Sequence, residues 1–398
     1  MHDVLDKMDM RRPAYGTIAV AGTNGKGSTV AMIAAILRAA GYRVGTYTSP
    51  HLIRYNERIC VQDAPISDVA LIDCLERIDA ARGTTPLTYF EFGTVAALDY
   101  FRAAAVDIAV LEVGMGGRLD AVNAVDADVA VVCSIGIDHV AWLGSDRESI
   151  GYEKAGIFRA ARPAVCSDPN PPRSIEQYAQ QIGADLWRLG RDFFLERNET
   201  GWMLRREGRV QSGLPYPALR GDYQLNNAAG AIMALERLRG RFAVTQAHIR
   251  SGLHASAIPG RFQVLPGPPI RVLDVAHNPQ AVQVLADTLA QQHVFGKTYA
   301  VFGMLIDKAI TDVARTMVGS VDAWFIAPLT SPRSATVEEL TQSLVGGGVT
   351  APITPFADAR AAYEAARRLA KPIDRIVVFG SFYIVGDILA ALESRPGP

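Results

Sequence analysis

The chain has 398 residues, 49% of them hydrophobic and 20% charged, which is typical of a globular protein with two or three domains. Its 40 basic and 41 acidic residues give a formal charge of −1, so neither nucleic acid nor an acidic membrane is expected as a partner. No apolar stretch approaches the ~20 residues that cross a bilayer, and residues 1–16 lack the apolar core of a secretion signal. The cysteines form no C-x-x-C pair, so we expect reduced thiols in a cytoplasmic protein.

In the first half, β-branched segments alternate with helical patterns, which predicts a mainly parallel sheet covered by helices. The nearly continuous apolar character of these segments suits strands that are buried on both faces. Residues 185–217 instead show short alternating segments broken by turn residues, which predicts a small antiparallel β insertion. The predicted strands are 16–22, 43–49, 107–114 and 128–135, and the predicted helices are Thr29–Ala40 and Glu91–Ala104.

The alternation resumes after the Pro- and Gly-rich stretch 258–269, which is the best domain boundary. We therefore predict an α/β protein with a P-loop-type, mainly parallel sheet domain in residues 1–258 and a smaller, Rossmann-like α/β domain in residues 259–398. A cleft is expected between the two domains. The predicted strands of the second domain are 270–276, 298–304, 322–328 and 375–381, and the predicted helices lie near 279–291, 308–318, 336–345 and 358–370.

The loop in "AVAGTNGKGSTVAMIAAILRAAG" (19–41) follows the first strand and opens the first helix. A glycine-rich turn at a helix N-terminus presents unpaired N–H groups and partial positive charge to an anion. Lys26 adds a full charge for the β- and γ-phosphates, and Ser28 or Thr29 offers a hydroxyl to Mg²⁺. The loop is therefore predicted to bind a nucleotide triphosphate. Its spacing differs from the usual phosphate loop, because Gly27 separates Lys26 from Ser28.

This compressed "GTNGKGS" resembles the ATP loop of the Mur ligase superfamily. Further stretches occur in the order typical of the folylpolyglutamate synthase/dihydrofolate synthase family, and the resemblance spans nearly the whole chain from Thr17 onward. These stretches are "TSPHL" (48–52), "TYFEFGTVAAL" (88–98), "LEVGMGGRLDAVN" (111–123), "IGIDHVAWLG" (136–144), "EKAGI" (153–157), "LRGDYQLNNAAGAI" (219–232), "PGRFQV" (259–264), "LDVAHNP" (273–279) and "VFGSFYIVGD" (378–387).

The resemblance implies an ATP-dependent ligase that phosphorylates a pteroate or folate carboxylate and lets L-glutamate displace the phosphate. It implies Mg²⁺, with two ions expected and K⁺ as a further cation, and it assigns catalytic roles to Lys26, Lys154 and His139. Lys154 would be carbamylated and act as an anionic oxygen ligand near the second metal ion. The implied metal ligands are Ser28, Ser49, Glu112 and His139.

The resemblance also implies nucleotide contacts in the loop and beyond the domain boundary, and a substrate site at two other motifs. Arg261 lies at the proposed hinge, and Asp274 follows a strand where it could contact the ribose. The implied ATP-binding residues are Asn24, Gly25, Lys26, Gly27, Ser28, Asn226, Arg261, Asp274 and His277. The implied substrate-binding residues are Thr88, Tyr89, Phe90, Glu91, Leu119, Asp120 and Ala121.

One feature departs from the family pattern, because relatives usually carry a longer N-terminal segment with a helix that contributes to the pterin site. Only about twenty residues precede the loop here, so either the start is truncated or the pocket is more open. We expect a monomeric, bifunctional enzyme of the bacterial type. Two other functions are considered: a Mur-type UDP-muramoyl amino acid ligase, and a non-catalytic ATP-binding regulator. A Mur-type ligase normally has a separate UDP-binding domain. A non-catalytic regulator would have no use for Glu112, His139 and Lys154 together.

Overall fold

In a computed structural model, which describes residues 1–394, the chain forms two compact units. The first unit comprises Met1–His51, Tyr55–Ala218 and Tyr223–Ala257. The second comprises Leu52–Arg54, Leu219–Asp222 and the chain from Ile258 onward. The second unit therefore begins near residue 258 but also includes two short earlier segments, of three and four residues, after each of which the chain returns to the first unit.

An eight-stranded sheet forms the centre of the first unit, in the order β4-β3-β2-β5-β1-β6-β7-β8. The six strands from β2 to β8 in this order are parallel, and β3 and β4 extend one edge in antiparallel pairing. The predicted, mainly parallel sheet is thus confirmed. The strands are β1 Gly16–Ala21, β2 Val44–Tyr47, β3 Ile59–Val61, β4 Ala64–Pro65, β5 Ile108–Glu112, β6 Val129–Val132, β7 Pro163–Cys166 and β8 Asp185–Arg188.

Helices flank this sheet, and several begin at side chains that cap their first turn. Ser67 caps α3, and Thr88 caps α4 through a reciprocal capping box with Glu91. The helices are α1 His2–Lys7, α2 Lys26–Ala39, α3 Asp68–Arg82, α4 Tyr89–Ala103, α5 Val140–Leu143, α6 Arg147–Ala155, α7 Arg173–Ile182, α8 Gln224–Arg237 and α9 Gln246–Ala255. Two short 3₁₀ helices lie at Tyr55–Arg58 and Ala121–Ala124.

The register of β1 determines which residues meet at the carboxyl edge of the sheet. All six residues of β1 are buried, because β5 and β6 flank the strand on either side. Val20 pairs with Glu112 on β5, and Ala21 pairs with Val132 on β6. The polar residue that ends β5 therefore lies beside the point where β1 turns into the glycine-rich loop.

The predicted antiparallel insertion is present, but it is shorter than residues 185–217. It is a three-stranded sheet in the order β11-β10-β9, made of β9 Phe193–Asn198, β10 Gly201–Arg206 and β11 Arg209–Leu214. Asp185–Arg188, which the sequence assigned to this insertion, pairs in parallel with β7 as the last strand of the large sheet. That part of the prediction was wrong, since a four-residue segment does not reveal its pairing partner.

The second unit is built on a six-stranded sheet in the order β12-β13-β17-β14-β15-β16, parallel except for β12. Alternate strand residues enter two hydrophobic clusters, one on each face of the sheet. This arrangement confirms the Rossmann-like α/β prediction. The strands are β12 Gln263–Leu265, β13 Ile270–Leu273, β14 Thr298–Phe302, β15 Ala323–Ile326, β16 Ile353–Pro355 and β17 Arg375–Phe379. The helices are α10 Pro279–Gln291, α11 Ile310–Met317, α12 Val337–Gly346, α13 Ala359–Leu369 and α14 Phe382–Glu393.

All four cysteines are free thiols, and three of them are buried. Burial raises the pKa of the Cys133 thiol to about 11, so this side chain stays protonated near neutral pH. Across residues 1–394, every helix falls short of the length and apolar character that a membrane span requires.

Candidate active site

The predicted phosphate loop connects β1 to α2 and has the conformation that its glycines permit. Gly25 is the N-cap of α2 and has a left-handed φ of 87°. A β-carbon at this position would also collide with the side-chain amide of Asn227 on α8. Residue 25 therefore has to be glycine for two reasons, backbone conformation and lack of space. As a glycine, residue 25 has no side chain that could cap the first N–H groups of α2.

Hydrogen bonds hold this loop against the segment that follows β6. The backbone N–H of Thr23 donates to the Ser134 carbonyl at 2.7 Å, and the Ser134 hydroxyl donates to the Asn24 carbonyl at 3.2 Å. The Thr23 hydroxyl lies 2.9–3.0 Å from both the carbonyl and the N–H of Gly136. The conformation of the loop is thus fixed before any ligand binds.

Lys26 lies at the start of α2 and curls back over the loop. Its Nζ donates to the carbonyl oxygens of Gly22 at 3.0 Å and Thr23 at 3.3 Å. No carboxylate in residues 1–394 forms an ion pair with it. A half-buried ammonium that is held only by carbonyl groups is available to an anionic ligand.

Lys154, to which the family resemblance assigned a catalytic role as a carbamylated lysine, reaches the same carbonyl from α6. Its side chain is 4% exposed, and its Nζ donates to the Gly22 carbonyl at 3.0 Å. Burial, followed by the nearby charge of Lys26, lowers the pKa of Lys154 to about 7, although Asp138 and Asp120 act in the opposite direction. Lys154 therefore loses its proton far more readily than an exposed lysine does.

Three of the predicted metal ligands supply oxygen atoms beside the loop. Ser28 is buried in the first turn of α2, and its hydroxyl accepts a hydrogen bond from Gln224 at 3.2 Å. Glu112 is 4% exposed and accepts from the Ser49 N–H at 3.1 Å. A β-carbon at Gly27 would lie 3.7 Å from the Glu112 carboxylate, which places that carboxylate against α2. Buried carboxylate and hydroxyl oxygens fit a hard cation such as Mg²⁺.

His139, the fourth predicted metal ligand, differs from the buried Ser28 and Glu112 in its environment. It is exposed, has a left-handed φ of 53°, and begins the short helix α5. Its N–H donates to the Asp138 carboxylate at 2.8 Å. Within residues 1–394 no three His, Cys, Asp or Glu side chains lie close enough together to hold a metal ion by themselves. The role of His139 stays a prediction.

In the first predicted substrate motif, residues 88–91, three side chains stabilise the fold and one is accessible to a ligand. Thr88 and Glu91 form the capping box of α4. Phe90 packs over Gly114, with its ring 5.7 Å from that of Tyr47. Tyr89 is 64% exposed and, with Tyr55, Leu71, Leu75 and Phe92 among others, lines an apolar cavity of about 630 Å³. Tyr89 is therefore the member of this motif that offers aromatic surface to a flat ligand.

The second predicted substrate motif lies on the loop after β5. Asp120 accepts hydrogen bonds from Met115 N–H at 2.9 Å and Val122 N–H at 3.0 Å, and it caps the short helix that begins at Ala121. Burial raises the pKa of Asp120, while those N–H groups and Lys26 lower it. Leu119 is 80% exposed. The loop is thus fixed by Asp120 and presents an apolar side chain outward.

Three predicted nucleotide contacts form a cluster within the second unit. The guanidinium of Arg261 lies 5.0 Å from the centre of the Phe382 ring, and the His277 ring lies 5.9 Å from it. Asp274 is buried and accepts from the N–H groups of Phe262 and Ala276, at 2.8 Å each. Burial raises the pKa of Asp274, and Arg261 opposes this. Their role toward a nucleotide stays a prediction.

Two residues of α8 that the sequence did not single out contact the loop. Gln224 donates to Ser28, and it accepts a hydrogen bond from Asn227 at 2.9 Å. Asn227 also lies against Gly25. The predicted Asn226 is half-buried on the same helix. Gln224 and Asn227 are three residues apart and therefore lie on one face of α8, which was the available signal.

Comparison with known proteins identifies relatives over nearly the whole chain. The Mur ligase middle domain matches residues 20–235, and the Mur ligase glutamate ligase domain matches residues 260–382. A dihydrofolate synthase/folylpolyglutamate synthase of Escherichia coli is 42% identical over 98% of this chain and 90% of its own length.

Solved structures agree with the sequence comparison. A structure of E. coli FolC in complex with DHPP and ADP has a TM-score of 0.94 at 41% identity, covering 99% of this chain and 92% of that one. A bifunctional folylpolyglutamate synthase/dihydrofolate synthase with Mn, AMPPNP and L-glutamate bound has a TM-score of 0.91 at 44% identity, covering 98% and 93% of the two chains.

Replacing Gly25 tests the geometry of the loop, with Gly41 as the matched control. Both residues have a φ near 90°, but an added β-carbon meets Asn227 only at Gly25 and nothing within 4 Å at Gly41. We expect Gly25→Ala to weaken binding of ADP with Mg²⁺ by about tenfold or more, equivalent to about 1.4 kcal/mol. Gly41→Ala should leave the affinity unchanged. Calorimetric titration measures both, and equal affinities for the two variants would contradict this geometry.

Proposed function

Because this chain belongs to the dihydrofolate synthase/folylpolyglutamate synthase family of Mur ligases, we propose that it joins L-glutamate to the carboxylate of dihydropteroate or of a reduced folate, using ATP. The observation that carries this proposal is the convergence of Lys26, Lys154, Ser28 and Glu112 around one loop. Two lysines and a set of hard oxygen ligands meet the needs of a reaction in which a carboxylate approaches a triphosphate.

The chemical difficulty is that a carboxylate is a poor electrophile and repels the phosphate it must attack. In the proposed reaction, a carboxylate oxygen forms a bond to the γ-phosphorus while the bond to ADP breaks, which gives an acyl phosphate. The glutamate amine then attacks the acyl carbon, loses a proton, and expels inorganic phosphate. Lys26 and the N–H groups that open α2 would bind the phosphate oxygens and stabilise the charge that develops there.

A divalent cation fits the oxygen ligands beside the loop. Ser28, Ser49 and Glu112 would hold it, with the predicted His139 as a further ligand, and the ion would neutralise charge on the phosphates. The related structure with Mn and AMPPNP supports a divalent ion and a nucleotide in this family. A second ion and K⁺ stay predictions.

The comparisons favour this function over both alternatives. The E. coli relative that is 42% identical along nearly the whole chain is a folate enzyme and not a UDP-muramoyl ligase. A non-catalytic regulator would have no use for the buried Glu112 beside the loop or for a buried lysine with a lowered pKa.

We also propose that Lys154 is carbamylated. The neutral amine attacks CO₂ to form an N–C bond and releases one proton, which converts a cationic side chain into a carbamate anion. Burial makes the cation unfavourable at this position, and the neighbouring charge of Lys26 favours an anion there. The carbamate would supply a further oxygen ligand for a cation near the loop.

Carbamylation predicts a signal from bound ¹³CO₂ in the NMR spectrum of the protein. At a fixed concentration of dissolved CO₂ the signal should grow from pH 6 to pH 8, because Lys154 loses its proton as the pH rises through about 7. Lys154→Arg should remove the signal, and Lys371→Arg, at an exposed lysine, should retain it. A signal that survives in Lys154→Arg, or that is missing from the wild type at pH 8, would show that Lys154 is not modified.

The proposed reaction is tested by phosphate release from ATP and Mg²⁺ with three sets of acceptors. Release should require dihydropteroate plus L-glutamate, and it should be absent with a UDP-muramoyl acceptor or with no acceptor. Glu112→Gln should lower kcat/KM about a hundredfold or more through loss of the metal ligand. Glu339→Gln is the matched control, because Glu339 caps α12 and glutamine serves the same capping role. Release that needs no acid acceptor would refute the proposed function.

A further inference from the structure

Arg58 lies beside the chain segment that leads to Ser49, one of the predicted metal ligands. It ends the 3₁₀ helix Tyr55–Arg58 and precedes β3. Its carbonyl accepts a hydrogen bond from Thr48 N–H at 2.9 Å, and Tyr47 pairs with Ile59 in the adjoining strands. Arg58 is therefore fixed, through its backbone, to the strand end from which Ser49 reaches Glu112.

The guanidinium of Arg58 lies next to two tyrosine rings. Only 8% of the residue is exposed. Its Cζ lies 5.2 Å from the centre of the Tyr55 ring and 5.5 Å from that of Tyr89. Its Nε donates to Nδ1 of His51 at 2.9 Å. Burial and the charge of Arg58 lower the pKa of His51, which keeps this imidazole a neutral acceptor.

The remaining donors of Arg58 have no partner within the described part of the chain, residues 1–394. It makes one hydrogen bond and no ion pair there. Arg375 provides a comparison, because it is 6% exposed and also lacks a carboxylate. Its guanidinium, however, donates to two carbonyl oxygens and to the Thr298 hydroxyl. Among residues 1–394, no Arg58 nitrogen is a fully buried atom without a hydrogen-bond partner, so the remaining Arg58 donors keep contact with solvent and are open to an anionic ligand.

We propose that Arg58 binds the non-reacting α-carboxylate of a folate acceptor. The proposal rests on the proposed function and extends it to a residue that selects between acceptors. Tyr89, which flanks Arg58, also lines the apolar cavity. If a benzoylglutamate acceptor places its ring against Tyr89, its glutamyl part would lie next to the guanidinium, which is 5.5 Å from the centre of that ring. Planar guanidinium donors match a carboxylate in both charge and geometry.

The two acceptors of the proposed reaction differ in the group that Arg58 would recognise. Dihydropteroate has a single carboxylate, and that carboxylate reacts. A reduced folate monoglutamate reacts at its γ-carboxylate and retains the α-carboxylate. Arg58 therefore contributes to the addition of further glutamates and contributes little to the first addition.

The test compares kcat/KM for the two acceptors in wild type, Arg58→Gln and Arg58→Lys. For the reduced folate monoglutamate, Arg58→Gln should lose about ten- to a hundredfold, as expected for a hydrogen-bonded charge pair, and Arg58→Lys should lose less. For dihydropteroate the change should stay within about threefold, and the KM for L-glutamate should not move. Arg205→Gln is the matched control, since Arg205 of β10 also lies over an aromatic ring, that of Phe194, and is paired with Glu196 away from this cavity; both values should stay at the wild-type level.

A second measurement uses the wild-type enzyme with a reduced folate whose α-carboxylate is replaced by a carboxamide. This acceptor should lose the same factor in the wild type and lose nothing further in Arg58→Gln. The proposal is overturned if both acceptors lose equally in Arg58→Gln, if the loss lies in the KM for L-glutamate, or if the carboxamide reacts as well as the acid with the wild type. Turnover of dihydropteroate by the wild type tests the proposed function separately.

Discussion

The carbonyl oxygen of Gly22 accepts hydrogen bonds from two lysine side chains, and the rest of the site depends on this contact. Lys26 comes from α2 and Lys154 from α6, and each Nζ lies 3.0 Å from the same oxygen. Two ammonium groups this close repel each other, and burial makes Lys154 the one that loses its proton. The end of β1 thereby combines a cation for phosphate with an amine that can change its charge.

The parallel sheet supplies the other half of the site. Because neighbouring strands of a parallel sheet end at the same edge, the residues that follow β2 and β5 reach the loop after β1. Ser49 and Glu112 meet there, and Glu112 lies against Gly27 in the first turn of α2. Positive charge and hard oxygen ligands thus lie at the same glycine-rich turn. This arrangement fits a reaction between two anions better than it fits simple nucleotide binding.

The central strands, the loop and the two α/β units could be predicted from the sequence, because buried parallel strands are apolar throughout and the loop glycines are local signals. Asp185–Arg188 was misassigned because a short strand does not specify its partner. Gln224 and Asn227 were missed because only the packing of α8 shows which of its polar residues face the loop. Arg58 was missed for the same reason, since its burial between two tyrosines depends on contacts between distant segments.

An acyl phosphate formed at this site would pass one carboxylate oxygen to the phosphate that leaves, and isotope transfer detects that oxygen. Dihydropteroate labelled with ¹⁸O in its carboxylate is converted with ATP, Mg²⁺ and L-glutamate, and the released phosphate is analysed by mass spectrometry. If an acyl phosphate forms, each released phosphate carries one oxygen from the labelled carboxylate. Release of phosphate without any labelled oxygen would show that no acyl phosphate forms.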